Sequence, residues 1–340
     1  MKERSPKYWM ISDRDNGGTG TGLNNEGLTY WISENGPLAD IENWQSITSE
    51  RFKEFLVNSA NRFPMIDPAK NEQQSHVTIL IHGYNESFSD AVSFYEKICG
   101  KLFNGDESLG ICVLYDWPSI GNVLGYEPDR SHARQCAEDL TNILCELFDW
   151  LILKQREAIN NPANACKAKV SIIAHSMGNY VLQKAMAAAW TRKNQPLLVS
   201  LVNQLVMVAA DVDNDLFDAG APDNDDGSAI ANLTYRITSL FSGRDAVLGA
   251  SAGLKHFGTR RLGRSGLASR PPLNINLPRT DNVWDIDCSS FFPNNIGSMD
   301  IHGAYFDNDT VIDLMRKLLR GIDRNILSIL GHTKSNAWPQ

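Results

Sequence analysis

Nine residues, Val170-Ser-Ile-Ile-Ala-His-Ser-Met-Gly178, constrain this chain more than any other stretch. An apolar run of strand character stops at Ala174, and a helical pattern with apolar residues three and four apart begins at Gly178. A strand that gives way to a helix across so short a link must turn sharply. Small residues two before and two after Ser176 let the two elements approach closely, and the turn exposes the serine hydroxyl. Those small residues are Ala174, where Gly is more usual, and Gly178. The competing reading of Ser176 is an ordinary helix N-cap, a position that favours serine because its oxygen accepts a backbone N–H. The pattern alone does not decide between the two, and other residues must.

The surroundings repeat the same strand-helix alternation. Val77–Ile81, Ile111–Tyr115, Val170–Ala174, Leu205–Ala209 and Tyr235–Leu240 are short apolar runs suited to parallel strands covered on both faces. Phe88–Leu102, Arg130–Ala158, Gly178–Arg192 and Val311–Leu330 each carry an apolar stripe at helical spacing. The alternation predicts a mostly parallel central sheet flanked by helices. In the first 70 residues, Tyr8–Ile11 and Leu28–Ile32 read as strands joined by a Gly-rich loop, an antiparallel extension that leads into a helix near Ser49–Arg62. The domain reading is therefore an N-terminal extension over 1–70 packed on the core, a catalytic domain over 71–330 and a tail over 331–340. The segment Asp211 to Asp226, with seven Asp together with Gly and Pro, reads as a solvated loop. Its first residues resemble a calcium loop superficially, but Leu216 stands at the sixth position and Pro222 at the twelfth, where Gly and Glu are needed.

A serine hydroxyl needs a base to take its proton, and that base needs a carboxylate to fix its tautomer. After a strand-turn-helix serine the partners follow in the order acid, then histidine. Asp245 comes just beyond the run Tyr235–Leu240 and is preferred over Asp211 and Asp213, which come just beyond the preceding run. His302 lies past the last strand expected, Val283–Cys288, and before the C-terminal helix, so a loop can carry its imidazole over the serine. His82-Gly83-Tyr84-Asn85 directly follows Val77–Ile81, and its Tyr84 N–H is the expected first oxyanion donor. The Met177 N–H, at a helix N-terminus, is the expected second.

Taken jointly and in order, Ile81-His-Gly-Tyr-Asn85, Tyr115-Asp-Trp-Pro-Ser-Ile-Gly121, Ala174-His-Ser-Met-Gly-Asn179, Ala209-Ala-Asp-Val-Asp213, Ser242-Gly-Arg-Asp-Ala246 and Ile301-His-Gly303 resemble a bacterial family of α/β-hydrolases of unknown function related to lipases and esterases, over roughly residues 75 to 320. The resemblance implies an α/β-hydrolase fold, the triad Ser176, Asp245 and His302, and a place for Trp117 near the active-site mouth. His82, Asn85 and Trp117 stand as substrate-binding candidates, against a packing reading of the histidine and the tryptophan. The implied activity is that of a serine esterase or lipase acting on a small-molecule or lipid ester. A ligand- or partner-binding module, with a protein partner on residues 1–70, is the alternative from another class. A membrane-surface lipase is a third reading, prompted by the basic stretch Lys255 to Arg270, which could grip an anionic substrate or a membrane surface although such runs are usually merely solvated, and by the exposed apolar segment expected around Leu248–Leu254. A thioesterase stands beside it, because thioesters pass through the same tetrahedral intermediate.

Composition narrows the partners. A net charge of -8 gives no electrostatic reason to expect nucleic-acid binding. No apolar run approaches the roughly 18 residues of a membrane span, and no export signal is visible at the start, so a cytoplasmic protein without an integral membrane segment is expected. The six cysteines are scattered without CxxC spacing, which disfavours disulfides and zinc. The mechanism needs no cofactor and no metal.

Overall fold

The computed structural model describes residues 6–64, 75–119, 126–161, 166–194, 200–256, 258–268 and 282–330. It divides into two compact units, residues 1–171 and 172–340.

The first unit holds β1 (Tyr8–Ser12), the one-turn segment α1 (Asp15–Gly18), β2 (Thr29–Ser33), β3 (Gln45–Ile47), α2 (Ser49–Ala60), β4 (His76–Ile81), α3 (Phe88–Ile98), β5 (Gly110–Asp116) and α4 (Tyr126–Asn160). Its strands lie in the order β3-β2-β1-β5-β4. The expected antiparallel extension is present, with Tyr8 opposite Ser33 in β1–β2 and Tyr30 opposite Ile47 in β2–β3. On its other side β1 runs parallel to β5, Trp9 facing Val113, and β5 runs parallel to β4, Val77 facing Ile111. All five residues of β1 are buried, so the extension supplies an interior strand. Tyr95 on α3 fastens it: the phenol donates to the Cys112 carbonyl at 2.7 Å and accepts the Trp9 N–H at 2.9 Å. Burial, with Cys99 and Cys112 close by, pushes that phenol well above its ordinary range.

The helix expected over Phe88–Leu102 keeps α geometry to Ile98 and then widens into a π turn, Cys99–Phe103. Capping sets its start, where Ser87 and Asp90 bond each other's backbone N–H reciprocally.

A buried ionic cluster closes the carboxyl end of β1 and β5. Arg14 Nε meets Asp116 Oδ1 at 2.8 Å, and Arg14 also donates to the carbonyls of Gly20, Ser119 and Glu86. His82 Nε2 joins the same Asp116 oxygen at 3.1 Å. Arg14, Asp116 and His82 are all fully buried. Burial alone would raise the Asp116 carboxyl, but Arg14 and His82 outweigh it and hold the group below its usual range.

The second unit holds the rest of β6 (Lys169–His175), which crosses the division, then α5 (Gly178–Arg192), β7 (Val202–Val208), α6 (Asn224–Leu233), β8 (Thr234–Phe241), α7 (Ala246–Ala250), α8 (Leu262–Ser265), β9 (Val283–Asp287), α9 (Ile301–Ala304), α10 (Asp309–Leu319) and α11 (Arg324–Ile329). Its strand order is β6-β7-β8-β9. The β7–β8 and β8–β9 pairs are parallel, with Val202 opposite Thr234 and Ile237 opposite Val283. The helix expected over Val311–Leu330 is two helices, because Gly321 adopts φ +76°. The Gly321 and Ile322 N–H groups fold back onto the Leu318 and Lys317 carbonyls, a Schellman stop. Among the described residues, no helix is long and apolar enough to cross a membrane.

Asp13, next to Arg14, generates a prediction for the fold. Its side chain is buried near Tyr115, whose hydroxyl lies 3.4 Å from Oδ2, and burial is the main cause that pushes its carboxyl up to about 7. The unfolded chain releases this proton near the ordinary carboxylate pKa of about 3.9, so the folded state holds more protons between that pH and 7. Stability contributed by Asp13 is then fully present below pH 4 and is lost as pH rises towards 7. Asp13→Asn is expected to raise the urea midpoint over wild type at pH 8 and to leave it nearly unchanged at pH 4. An equal gain at both pH values would contradict the assignment.

Candidate active site

Ser176 sits where β6 ends, at φ +50°, in the left-handed region that non-glycine residues avoid. Backbone hydrogen bonds hold it there. The Ser176 N–H donates to the Val208 carbonyl at 3.0 Å, and the Ser176 carbonyl accepts the N–H groups of Asn179 and Asp211, each at 3.1 Å. From the first turn of α5, the buried Asn179 amide donates to the Ala174 carbonyl at 2.9 Å and to the Ser176 carbonyl at 3.2 Å, tying helix to strand beneath the turn. No side chain caps α5. The N-cap reading of Ser176 therefore loses, and its hydroxyl is directed elsewhere.

That hydroxyl lies 2.8 Å from His302 Nε2, and His302 Nδ1 lies 2.8 Å from Asp245 Oδ2. His302 occupies the single turn α9, and its backbone carbonyl accepts the His175 Nε2 proton at 3.0 Å. The His175 ring packs 5.0 Å from the His302 ring and meets the Phe306 ring edge to face at 5.3 Å. Asp245 is the N-cap of α7: Oδ1 accepts the Leu248 N–H at 3.0 Å, which leaves Oδ2 for the histidine. The carboxylate is fully buried, the serine is 4% exposed and the histidine side chain 13% exposed. An ionised carboxylate can only accept, so Nδ1 carries the imidazole proton and the Nε2 lone pair faces the serine. This arrangement can remove a proton from the Ser176 hydroxyl and return it to a leaving group.

The rival acids are engaged otherwise. Asp211 Oδ1 accepts Arg261 Nε at 2.7 Å and Ser251 Oγ at 2.8 Å, and Asp213 pairs with Arg261 Nη1. The expected solvated acidic loop is thereby corrected in its first half: Asp211, Val212, Leu216 and Phe217 are buried, whereas residues 218–226 stay exposed or partly exposed and are helical from Asn224. The loop folds inward because Arg261, itself fully buried, neutralises its first carboxylate. Leu248, expected in an exposed apolar segment, is buried as well.

The Met177 N–H follows Ser176 directly, ahead of α5. The other predicted residues belong to the first unit. Tyr84 is half-buried and Asn85 exposed, at φ +65°, in the turn after β4. His82 stacks face to face on Trp117 at 5.4 Å, and the Trp117 indole N–H donates to the His82 carbonyl at 2.9 Å. Both rings are fully buried, as the packing reading has it. Sequence reasoning names Asn179 only within the motif around Ser176, and Arg261 and Arg264 only as members of a basic stretch that could grip an anionic substrate or a membrane surface; it gives none of them a place beside the triad.

The α/β-hydrolase family of unknown function DUF900 matches residues 58–277. The chain belongs to that family. An uncharacterized protein of Nostoc sp. strain PCC 7120 is 28% identical over a 134-residue alignment that covers 33% of this chain and 31% of the relative's own length. Among solved structures, a predicted CIB-like hydrolase from Thermoplasma acidophilum is similar at 13% identity and a TM-score of 0.35, covering 88% of this chain and 95% of that one. An esterase from Pyrobaculum calidifontis is similar at 8% identity and a TM-score of 0.36, covering 81% of this chain and 94% of that one. The family has the α/β-hydrolase fold, and the strands described match it: mostly parallel, with an antiparallel edge and flanking helices.

The positive φ at Ser176 can be tested without any substrate. A left-handed backbone disfavours a residue with a Cβ by about 1–2 kcal/mol relative to glycine. Ser176→Gly is expected to be more stable than Ser176→Ala by about 1 kcal/mol, after the greater unfolded-state freedom of glycine is set against that relief. Urea denaturation measures the difference, and an alanine variant as stable as the glycine variant would contradict the turn geometry.

Proposed function

We propose that this member of a hydrolase family cleaves carboxylic esters through an acyl-enzyme on Ser176. What supports the reading is the unbroken chain from Ser176 Oγ through His302 to Asp245, each link 2.8 Å long. In the first half-reaction His302 Nε2 takes the hydroxyl proton as Oγ attacks the ester carbonyl carbon. The Asp245 carboxylate, fixed by the Leu248 N–H, orients the ring and stabilises the imidazolium. Negative charge on the former carbonyl oxygen is met by the Met177 N–H. The intermediate collapses when His302 returns the proton to the leaving alkoxide. Water then repeats the cycle, with His302 as base, and releases the carboxylic acid.

The same steps serve thioesters and amides, because the tetrahedral intermediate is common to all acyl transfers. Esters are the substrate class on which the expectation from sequence and this proposal agree. A cytoplasmic location belongs to the same reading, supported by six free thiols, five of them buried.

The test is steady-state hydrolysis of p-nitrophenyl esters of increasing chain length by wild type and folded variants. Asp245→Asn is expected to lower kcat by roughly three to four orders of magnitude, because the imidazole loses the partner that fixes its tautomer. The chain-length optimum would separate an esterase from a lipase. Asp245→Asn turning over at the wild-type rate would contradict the proposal.

A further inference from the structure

The basic stretch around Arg261 is the part of the chain that sequence alone would offer to an anionic ligand or a membrane surface. The structure turns Arg261 inward and leaves Arg260 exposed. Arg261 is fully buried and spends its donors on its own chain: Nε on Asp211 Oδ1 at 2.7 Å, Nη1 on Asp213 Oδ1 and Nη2 on the Asp211 carbonyl. Arg264, one turn on, donates Nη1 to the carbonyl of Asp245.

Backbone contacts fix the element between them. The Leu262 and Gly263 N–H groups donate to the Val212 and Ala210 carbonyls, each at 2.9 Å, and the Gly263 carbonyl accepts the Ser242 N–H at 3.0 Å. A Cβ on Gly263 would lie 2.1 Å from both the Ala209 carbonyl carbon and the Ala210 nitrogen, so only glycine permits this approach. The turn Arg261–Arg264 therefore lies against both the loop after β7 and the loop after β8.

Those two loops reach the triad. The first carries Asp211, whose N–H holds the Ser176 carbonyl at 3.1 Å. The second carries Asp245 itself. A buried Arg-carboxylate pair is weak evidence for a stability role, since apolar replacements commonly serve stability as well. An element whose Arg261 reaches the nucleophile through Asp211, and whose Arg264 holds the carbonyl of the acid, calls for a role in geometry.

We propose that Arg261 and Arg264 are positioning residues for acyl transfer, which set the separation of Ser176 and Asp245: Arg261 through Asp211, and Arg264 through the Asp245 carbonyl. The inference rests on the acyl-transfer reading and adds to it the element that holds the triad in register.

The experiment counts competent sites and measures the rate of each. Full-length wild type, Arg264→Met and Arg264→Lys are titrated with a fluorophosphonate by intact mass, and p-nitrophenyl butyrate hydrolysis is expressed per titrated site. Displacements of about 1 Å at reacting groups lower rates on the order of a hundredfold, so Arg264→Met is expected to lose roughly 10- to 100-fold in kcat per site with KM unchanged. Arg264→Lys, which can still donate to the same carbonyl, recovers part of the loss. A packing role alone would lower the number of titrated sites or the melting temperature and leave the rate per site at the wild-type value, and that outcome in a folded variant overturns the proposal. Should Arg264→Met not fold, Arg261→Lys carries the same comparison, since an ammonium cannot serve all three acceptors, and a wild-type rate per site there overturns it equally. Wild type that titrates no sites defeats the acyl-transfer reading and this proposal together. Wild type that titrates normally, beside variants of equal rate, defeats positioning alone.

Discussion

Ser176 is held in a backbone conformation that an L-residue avoids, and the second unit is arranged so that it stays there. The turn exists because β6 ends against the β7 backbone, through the bond from the Ser176 N–H to the Val208 carbonyl, while α5 begins directly beyond Met177. Two further N–H groups and the buried Asn179 amide converge on the Ser176 carbonyl and its neighbourhood. Each bond is worth only about 1 kcal/mol net, yet together they over-determine the turn, as strained functional backbone requires. The serine hydroxyl is left with His302 as its partner, and the short turn α9 holds that ring against Asp245.

Charge buried in both units serves the same end of locating loops. Arg14 in the first unit and Arg261 in the second are fully buried guanidiniums that each neutralise a buried aspartate and also donate to backbone carbonyls. Arginine suits this work because its planar fork offers five donors in fixed directions. A carboxylate left without its guanidinium in such a place would face a desolvation cost of several kcal/mol, which keeps these loops from relaxing outward. Asp13 shows the contrasting case: burial pushes its carboxyl up to about 7, and the neighbouring charges of Asp139 and Asp116 add to the shift.

How far the sequence is legible depends on the range of the interaction. Helix α5 begins and ends at the residues expected, Gly178 and Arg192, and the strands match to within a few residues, because hydrophobic period and flanking small residues are local signals. The triad could be ordered along the chain because its members follow strand ends, where this fold places them. Long-range pairings could not. Nothing local in Asp211–Asp226 says that Arg261, fifty residues on, will draw its first turn into the interior, so composition alone suggested a solvated loop. From the other side, the inward turn of Arg261 within the basic stretch was hidden for the same reason. Likewise β1 and β2 announced a hairpin, but the parallel pairing of β1 with β5 joins segments about a hundred residues apart and left no local trace.

The central claim is that Ser176 is a nucleophile activated by His302. Intact-protein and peptide mass spectrometry after treatment with a fluorophosphonate tests it most directly. The account predicts one adduct per chain, mapped to Ser176, formed by wild type and absent from a folded Ser176→Ala chain. An adduct on another residue, or equal labelling of the alanine variant, would contradict it.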